Sequence, residues 1–386
     1  MLSALSESGK TVQLIGQTRE EIDQLKKERY YCPSCKEPVL IRAGSVVIPH
    51  FAHLPNSICP DKEGGEGTYH QTGKIHLYQW LKGQGYDVEL EAYLKDIKKR
   101  PDILINWKGK QIALEFQCAT IPQEDIRTRS EAYRKKGIYP FWVLGGRQLK
   151  RQGTSTIQLH NFHRQFLYNF GNCTLFYYDP IAFQFVVARH IQGTGSRTAF
   201  SDLRFFRLPS TGFPDLFAES KLPLDNFWNY WEKHVFRSRT HVKPYLSKQE
   251  KLWTNVLYQQ GLHRSTLPTA AFLPVSSQVH IKDPPWIWQS RYLLDIYHPA
   301  PTGTILRKQH SPELHDLPHH LLSPDPLVEY LDLLSRLGFT KHVASGIYRK
   351  ERELIFPKTV MDALQQDKID FQKLKSQSQK IGTLQT

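Results

Sequence analysis

Residues 100–117 of this chain read RPDILINWKGKQIALEFQ, and this stretch carries the clearest structural signal in the sequence. Two strand-like runs are joined by a Lys-Gly pair at 108–109, which is typical of a β-hairpin with a two-residue turn. Counting outward from that turn places Asp102 directly opposite Glu115. Directly opposed residues of an antiparallel pair point to one face, and the alternation of side chains adds Gln117 to that face. The sequence therefore predicts two carboxylates and an amide side by side.

Two facing carboxylates repel each other unless a cation lies between them. A divalent ion that prefers oxygen ligands, Mg²⁺ or Mn²⁺, would remove this repulsion. Such an ion can activate water and stabilise the charge that develops in phosphodiester cleavage. Asp102 and Glu115 are therefore candidate metal ligands, and Gln117 would point at the attacking water. The alternative is an ordinary solvated strand face with no ligand.

The hairpin belongs to a longer pattern of elements. The expected neighbours of the hairpin are a helix over 69–82, a strand over 86–94, a helix over 122–136 and a strand over 138–144. The resulting order of helix, three strands, helix and strand predicts an α/β fold with a mixed sheet.

The helix before the hairpin carries further candidate site residues. His70 and Lys74 lie one turn apart on it, and Glu66 lies one turn earlier if the helix extends that far. An acid or a histidine at this place could complete the metal site beside the hairpin. The alternative is a surface histidine and lysine on a half-exposed helix.

The chain is strongly basic, with 51 Lys and Arg against 37 Asp and Glu, a formal net charge of +14. This surplus fits a polyanionic partner, above all nucleic acid, although many basic proteins bind none. Basic residues gather around the hairpin and in the helix after it. The candidate phosphate contacts are Lys74, Lys98, Lys99, Arg100, Arg127, Arg129, Arg134 and Lys135. Such contacts would make DNA binding strongly salt-dependent.

A second group of residues with metal-binding chemistry precedes the hairpin. Cys32 and Cys35 form a Cys-x-x-Cys pair, which places two thiolates on one side of a tight turn. His50, His53 and Cys59 follow, and two of these three would complete a tetrahedral zinc site. A closed four-ligand site is structural and would hold together a module with little core of its own. The alternatives are a redox-active pair or unrelated buried residues.

The composition limits the class of protein. Hydrophobic residues make up 40% and charged residues 23%, which excludes a fibrous or wholly disordered chain. No apolar run approaches the ~18 residues of a membrane span, and the first residues lack the pattern of a secretory leader. The five cysteines are too few for a disulfide scaffold, so we expect a cytoplasmic protein.

Three parts are expected along the chain. They are a small Cys/His module over 1–60, an α/β domain over 61–195 and a mainly helical C-terminal region over 196–386. Within the last part, helices are predicted around 247–260, 326–337 and 358–375. No motif in this part indicates a role, and the oligomeric state cannot be inferred from the sequence.

The ordered set of motifs resembles the competence protein CoiA family. The matching pieces are YYCPSC at 30–35, IPHFAH at 48–53, Glu66 with His70 and Lys74, RPDIL at 100–104, ALEFQ at 113–117, and Arg129, Tyr133, Gly137 and WVL at 142–144. They cover about residues 10–150 in the expected order. The rest of the chain matches only by position.

The resemblance implies an N-terminal zinc-finger-like module and a restriction-endonuclease-like core of the PD-(D/E)xK type. In that pattern Asp102 would be the first acid, Glu115 the second, and His70 and Glu66 accessory residues. Gln117 stands where a lysine is usual. Glutamine can orient water but brings no positive charge, so this departure weakens the prediction of catalysis.

The resemblance also implies a role in natural transformation, on incoming single-stranded DNA or a recombination intermediate. The first hypothesis is a Mg²⁺- or Mn²⁺-dependent deoxyribonuclease. The second is a catalytically idle nuclease fold that binds DNA as a recombination mediator. A third is an adaptor that recruits a recombinase or helicase through residues 196–386. Strand preference and polarity cannot be inferred from the sequence.

Overall fold

A computed structural model describes residues 1–44, 48–59, 67–195, 197–307, 311–315 and 325–384, with side chains through residue 379. The chain divides into two units. The first comprises Met1–Leu149, Leu175–Val187 and Arg204–Ala218, and the second comprises Lys150–Thr174, Ala188–Leu203 and Glu219–Thr386. Within the described residues, no helix combines the length and apolar character that a bilayer crossing requires. The predicted boundaries at residues 60 and 195 stay predictions.

The strands are β1 (Ser3–Ser6), β2 (Thr11–Gln13), β3 (Tyr30–Tyr31), β4 (Pro38–Arg42), β5 (His50–His53), β6 (Asp87–Leu90), β7 (Ile103–Trp107), β8 (Lys110–Gln117), β9 (Ile138–Gly145), β10 (Thr156–Gln158), β11 (Tyr168–Asn169), β12 (Cys173–Asp179), β13 (Gln184–Gly193), β14 (Thr198–Arg207), β15 (Ile305–Arg307), β16 (Thr340–Ala344) and β17 (Ile347–Lys350). The α-helices are α1 (Arg19–Leu25), α2 (Thr68–Gly83), α3 (Gln123–Lys135), α4 (Asn161–Arg164), α5 (Leu224–Thr240), α6 (Lys248–Gln259), α7 (Pro285–Tyr292), α8 (Pro326–Leu337) and α9 (Val360–Leu384).

The first residues form a small antiparallel sheet in the order β2-β1-β3-β4-β5. Its core is thin and includes Tyr30, Val39 and Phe51. Helix α1 begins with a capping box, in which the Thr18 hydroxyl accepts a hydrogen bond from the Glu21 N–H. So small a core is what a module dependent on a bound metal would have.

The second sheet of the first unit runs β12-β9-β8-β7-β6. Strands β6, β7 and β8 pair antiparallel, whereas β8, β9 and β12 run parallel, with α3 connecting β8 to β9. The predicted order of helix, three strands, helix and strand is confirmed as α2-β6-β7-β8-α3-β9, and the sheet is mixed.

The hairpin at the centre of this sheet has the predicted turn and register. Lys108 and Gly109 have φ angles of 47° and 75°, as a two-residue turn of the type I′ class requires. Trp107 pairs with Lys110, and the pairing continues to Ile103 opposite Leu114. The strand alignment that was counted from the sequence is therefore confirmed.

Helix α2 packs closely on β8 because Gly73 has no side chain. A Cβ atom at this position would lie 2.0 Å from Cε1 of Phe116. Leu77 and Leu81 are fully buried on the same helix. This close approach brings the first turns of α2 next to the end of the hairpin.

The part of the second unit from residue 219 onward is mainly helical, as predicted for the region 196–386. Its core is rich in aromatic residues, among them Trp231, Tyr297 and Tyr330. A buried ion pair joins α5 to α9, in which both Nε and Nη2 of Arg239 donate to the Asp367 carboxylate, at 2.5 and 2.7 Å. Strands β15, β17 and β16 form a small antiparallel sheet.

Candidate functional site

Four of the predicted zinc ligands come together near the N-terminus. Ligand atoms of Cys32, Cys35, His53 and Cys59 all lie within 4.8 Å of one another. Two cysteines sit in the turn after β3, and His53 ends β5. The Cys32 and Cys59 sulfurs are 3.9 Å apart, and the Cys35 sulfur is 3.4 Å from Nε2 of His53.

These distances fit one tetrahedral zinc ion. Two sulfurs at about 2.3 Å from such an ion lie about 3.8 Å apart, and a sulfur and an imidazole nitrogen lie about 3.6 Å apart. Three thiolates and one imidazole are a common donor set of structural zinc sites. The cluster could therefore hold a metal with all four positions filled by protein.

The structure corrects one candidate ligand, His50. Its Nδ1 lies 2.8 Å from the Ile48 carbonyl oxygen, and it does not belong to the cluster. His50 and His53 are three residues apart on β5, so alternation points their side chains to opposite faces. Cys59 lies in the cluster instead.

Asp102 lies among groups of α2 and β8 that favour its charged form. Its Oδ2 accepts a hydrogen bond from the Phe116 N–H at 2.8 Å and lies 3.3 Å from Nε2 of His70. Its Oδ1 lies 3.4 Å from Nζ of Lys74. Burial by itself raises the pKa of Asp102, but Lys74, His70 and the hydrogen bonds outweigh it and hold the pKa well below its ordinary value.

Glu91 completes this group, although no sequence motif pointed to it. Nζ of Lys74 donates to Oε1 of Glu91 at 2.6 Å, and both side chains are almost fully buried. Oε2 of Glu91 accepts from the N–H groups of Leu2 and Ser3 at 2.7 and 3.1 Å. Glu91 stands in the alternating run YDVELEAYL, where acids suggest a solvent face, so only the buried lysine could have indicated it.

Glu115 is held by a different helix. Its Oε2 accepts from Nη2 of Arg129 at 2.7 Å, and its Oε1 accepts from the Tyr133 hydroxyl, both residues belonging to α3. Glu115 is only 2% exposed. Burial, and then the charge of Glu115, raise the pKa of Tyr133 well above its ordinary value, so the phenol remains a hydrogen-bond donor.

The shared face expected for Asp102 and Glu115 is therefore corrected. The ring of Phe116 packs on α2, so its neighbour Glu115 points to the other side of the strand, toward α3. Strand β7 begins at Ile103, and Asp102 lies in the bend before it, where strand alternation does not fix the side chain. The register is right, but the two carboxylates reach different helices.

Neither acid belongs to a group of three or more converging ligand atoms among the residues that the structure describes. There, the Cys/His cluster is the one place where three or more such ligand atoms converge. The present arrangement of Asp102 and Glu115 does not fit a Mg²⁺ or Mn²⁺ ion shared between them. It consists of two separate charge networks, with Lys74 in one and Arg129 in the other.

The remaining candidates of the site have different outcomes. His70 stacks on the Phe116 ring, with centroids 5.7 Å apart, and reaches Asp102. Gln117 donates from Nε2 to the Ala119 carbonyl at 2.6 Å, so its amide is tied to its own loop. Glu66 lies outside the described residues.

The candidate phosphate contacts divide by exposure. Lys98, Arg127 and Lys135 are exposed, and Arg127 pairs with Glu124. The half-buried members are Lys99, Arg100, Arg129 and Arg134. Lys74 is fully buried, which corrects its assignment as a phosphate contact.

Three family models match the chain one after another. They are Competence protein CoiA, N-terminal domain, over residues 14–62; Competence protein CoiA, nuclease-like domain, over 66–221; and Competence protein CoiA, C-terminal domain, over 228–364. The chain is also 29% identical over 343 residues to Competence protein CoiA of Bacillus subtilis (strain 168), which covers 85% of this chain and 91% of that protein. No solved structure matches the chain at a significant level. Because the three models span nearly the whole length in order, the chain belongs to the competence protein CoiA family.

Proposed function

We propose that this chain is a DNA-binding protein of natural competence, which supports the processing and recombination of incoming DNA in the cytoplasm. One observation carries the proposal. Inside a nuclease-like domain, the two acids expected to share a metal are each paired with a different cation, buried Lys74 or half-buried Arg129. Because these acids form ion pairs within the domain, the domain is better suited to binding DNA than to cleaving it.

The exposed basic residues would bind the DNA backbone. Lys98, Arg127 and Lys135 are available at the surface of the nuclease-like domain, and the whole chain carries a net charge of +14. Cations of this kind release condensed counterions when they meet phosphate, so removing one of them lowers both the affinity for DNA and its dependence on salt. The protein would recognise single strands or recombination intermediates by their form and not by their base sequence.

The test is a salt titration of DNA binding by fluorescence anisotropy. The triple variant Lys98→Gln, Arg127→Gln, Lys135→Gln is compared with the wild type on a labelled single strand. We expect weaker binding and a shallower slope of log K against log salt, by about 0.7 for each phosphate-binding cation removed. The control is Lys10→Gln, Lys26→Gln, Lys27→Gln, which removes the same charge from exposed positions of the N-terminal module. Equal decreases in both triple variants would contradict a binding surface on the nuclease-like domain.

A second candidate function is a metal-dependent deoxyribonuclease. The observation in its favour is Asp102, which stays anionic because its pKa is held low, with His70 beside it and a nuclease-like family match. For a shared metal ion, Asp102 and Glu115 would first have to leave Lys74 and Arg129. Cleavage assays distinguish the two candidates.

The Cys/His cluster has a structural role in either case. With zinc bound, it would join the turn after β3 to the end of β5 and to Cys59, across a sheet with a thin core. The metal would supply folding energy, because all four ligands come from the protein and no position is left for a substrate.

A further inference from the structure

Strand β1 is hydrogen-bonded to the parts of the N-terminal module that carry the Cys/His cluster. It pairs with β3, and Cys32 directly follows β3. The Phe51 N–H of β5 donates to the Met1 carbonyl oxygen at 2.8 Å, and the same strand ends at His53. Residues 1–6 are therefore held by both strands that position ligands of the cluster.

The start of β1 is also held by Glu91 of the nuclease-like domain. Oε2 of Glu91 accepts hydrogen bonds from the Leu2 N–H at 2.7 Å, the Ser3 N–H at 3.1 Å and the Ser3 hydroxyl at 3.2 Å. None of these three residues is more than 3% exposed. Hydrogen bonds to a carboxylate are stronger than those between neutral groups, so Glu91 and the start of β1 keep one relative position.

Glu91 reaches Asp102 by two routes. Its backbone N–H donates to the Asp102 carbonyl oxygen at 2.9 Å. Its Oε1 accepts from Nζ of Lys74 at 2.6 Å, and the same ammonium lies 3.4 Å from Oδ1 of Asp102. A displacement of Glu91 would therefore move both the backbone and the side-chain partners of Asp102.

The backbone of Glu91 is strained. Its φ angle is 52°, in the left-handed region that residues other than glycine rarely adopt. Such a conformation persists only where the surroundings impose it, and it is concentrated at functional sites. Here the bonds of the carboxylate to β1 and Lys74, and of the N–H to Asp102, impose it. Loss of the bonds to β1 would let Glu91 relax.

We infer that metal occupancy of the Cys/His cluster sets the positions of Asp102 and Lys74, with Glu91 as the positioning residue. With zinc bound, the strands beside Cys32 and His53 are fixed, and they fix the start of β1. Without metal, a sheet with so thin a core holds β1 less firmly, and the three bonds to Glu91 weaken. The inference goes beyond the proposed function, because it concerns control of the site and applies whether the domain binds DNA or cleaves it.

The first experiment is hydrogen–deuterium exchange of the full-length protein, loaded with zinc or stripped of metal by a chelator. We expect metal removal to speed exchange about tenfold in α2, β6 and β7, in addition to strands β1 to β5. Helix α3 is the internal control, because its contacts with Glu115 form a separate network. Faster exchange confined to β1 to β5 would overturn the inference. An equal increase in α3 would overturn it too, since it would indicate a general loss of stability.

The second experiment measures zinc affinity by competition with a chromophoric chelator. Coupling between two sites is reciprocal, so disrupting the Glu91 bonds should weaken zinc binding as much as zinc strengthens those bonds. We expect Glu91→Gln to bind zinc about tenfold more weakly than the wild type. The matched control is Glu89→Gln, the same change at an exposed position two residues earlier, which should leave zinc binding unchanged. Equal zinc affinities of the two variants would overturn the inference.

Ser3→Ala tests the same link with a smaller change, in case Glu91→Gln fails to fold. It removes only the hydroxyl bond to Oε2 of Glu91. We expect exchange in α2 of the zinc-loaded variant to be about threefold faster than in the wild type. Ser6→Ala on the same strand is the control, because the Ser6 hydroxyl lies 2.9 Å from that of Ser8 and not at Glu91. Identical exchange in α2 of both serine variants would contradict the role of Glu91.

Discussion

Lys74 is a buried ammonium group that lies between two carboxylates, Glu91 and Asp102. The side chains of Lys74 and Glu91 are almost fully buried, whereas that of Asp102 is 12% exposed. Charged groups removed from water are stable only with partners, so Lys74 depends on the two carboxylates and both carboxylates depend on Lys74. The arrangement also ties the first strand to the nuclease-like core, because Glu91 accepts from the Leu2 and Ser3 N–H groups.

We expect Lys74→Met to lower the free energy of unfolding by about 3–5 kcal/mol, because it leaves the buried Glu91 and the largely shielded Asp102 without this cation. Denaturant unfolding followed by circular dichroism measures this decrease. Lys82→Met in the same helix is the control, because Lys82 is exposed and should change stability by less than about 0.5 kcal/mol. Equal stability of the two variants would contradict the buried network.

The depressed pKa of Asp102 makes its contribution depend on pH. Its folded-state pKa lies below the ordinary 3.8, so folding favours the charged carboxylate. The contribution is complete above about pH 5 and is lost as the pH falls toward the folded-state pKa. The difference in unfolding free energy between wild type and Asp102→Asn should therefore shrink as the pH falls from 5 toward the folded-state pKa. A difference that grows on acidification below pH 5 would contradict the ion pairing.

For individual residues, the sequence predicted which side chains belong to the candidate site better than it predicted their contacts. Asp102, Glu115 and His70 were named from their types and spacing, and each proves to be partnered and largely shielded from solvent. The partners could not be predicted, because the bend before Ile103 sets the Asp102 side chain and α3 brings Arg129 across the sheet. Glu91 was missed because local alternation gives no sign of a lysine buried 17 residues earlier.

Helix α2 can approach β8 only because position 73 is glycine. We expect Gly73→Ala to destabilise the protein by about 1–3 kcal/mol through overpacking against Phe116, despite the better helix propensity of alanine. Gly83 is a matched control in the same helix, since nothing lies within 4 Å of a Cβ there. Gly83→Ala should leave the melting temperature unchanged or slightly higher. Equal melting temperatures for the two variants would argue against the close packing.

On strand β5, His53 points to the Cys/His cluster and His50 points away from it. We expect purified protein to contain one zinc per chain by mass spectrometry of metals, and His53→Ala to lose most of it together with stability. His50→Ala, three residues away on the same strand, should keep its metal. Metal loss in His50→Ala with retention in His53→Ala would show that the ligand assignment is reversed.

Elements with a strong local signal were predicted well. The Lys108-Gly109 turn and the helix expected over 122–136 appear where the sequence indicates them. Helix α5 was not predicted, since it begins after Pro223 with no side-chain cap and alternates aromatic with charged residues. Its position is set by tertiary packing in an aromatic core, which no short-range pattern reveals.

The whole molecule combines a candidate zinc module, a nuclease-like domain and a helical C-terminal region under a net charge of +14. The family resemblance covered only the first part of the chain, because the motifs there carry fixed spacing. In the C-terminal region the informative feature is the buried aromatic core, which forms only when distant parts of the chain pack together. Function at this scale depends on whether the nuclease-like domain cuts the DNA that we expect it to bind.

The most direct test is a cleavage assay of the full-length protein on end-labelled single- and double-stranded DNA, with Mg²⁺ or Mn²⁺ or with chelator. Asp102→Asn and Glu115→Gln serve as matched controls, after their folding has been checked. Because the two acids are held by different cations, we predict that DNA is bound but that wild type yields no more product than either variant. Metal-dependent product in the wild type that both variants lack would contradict the account and establish a shared catalytic metal.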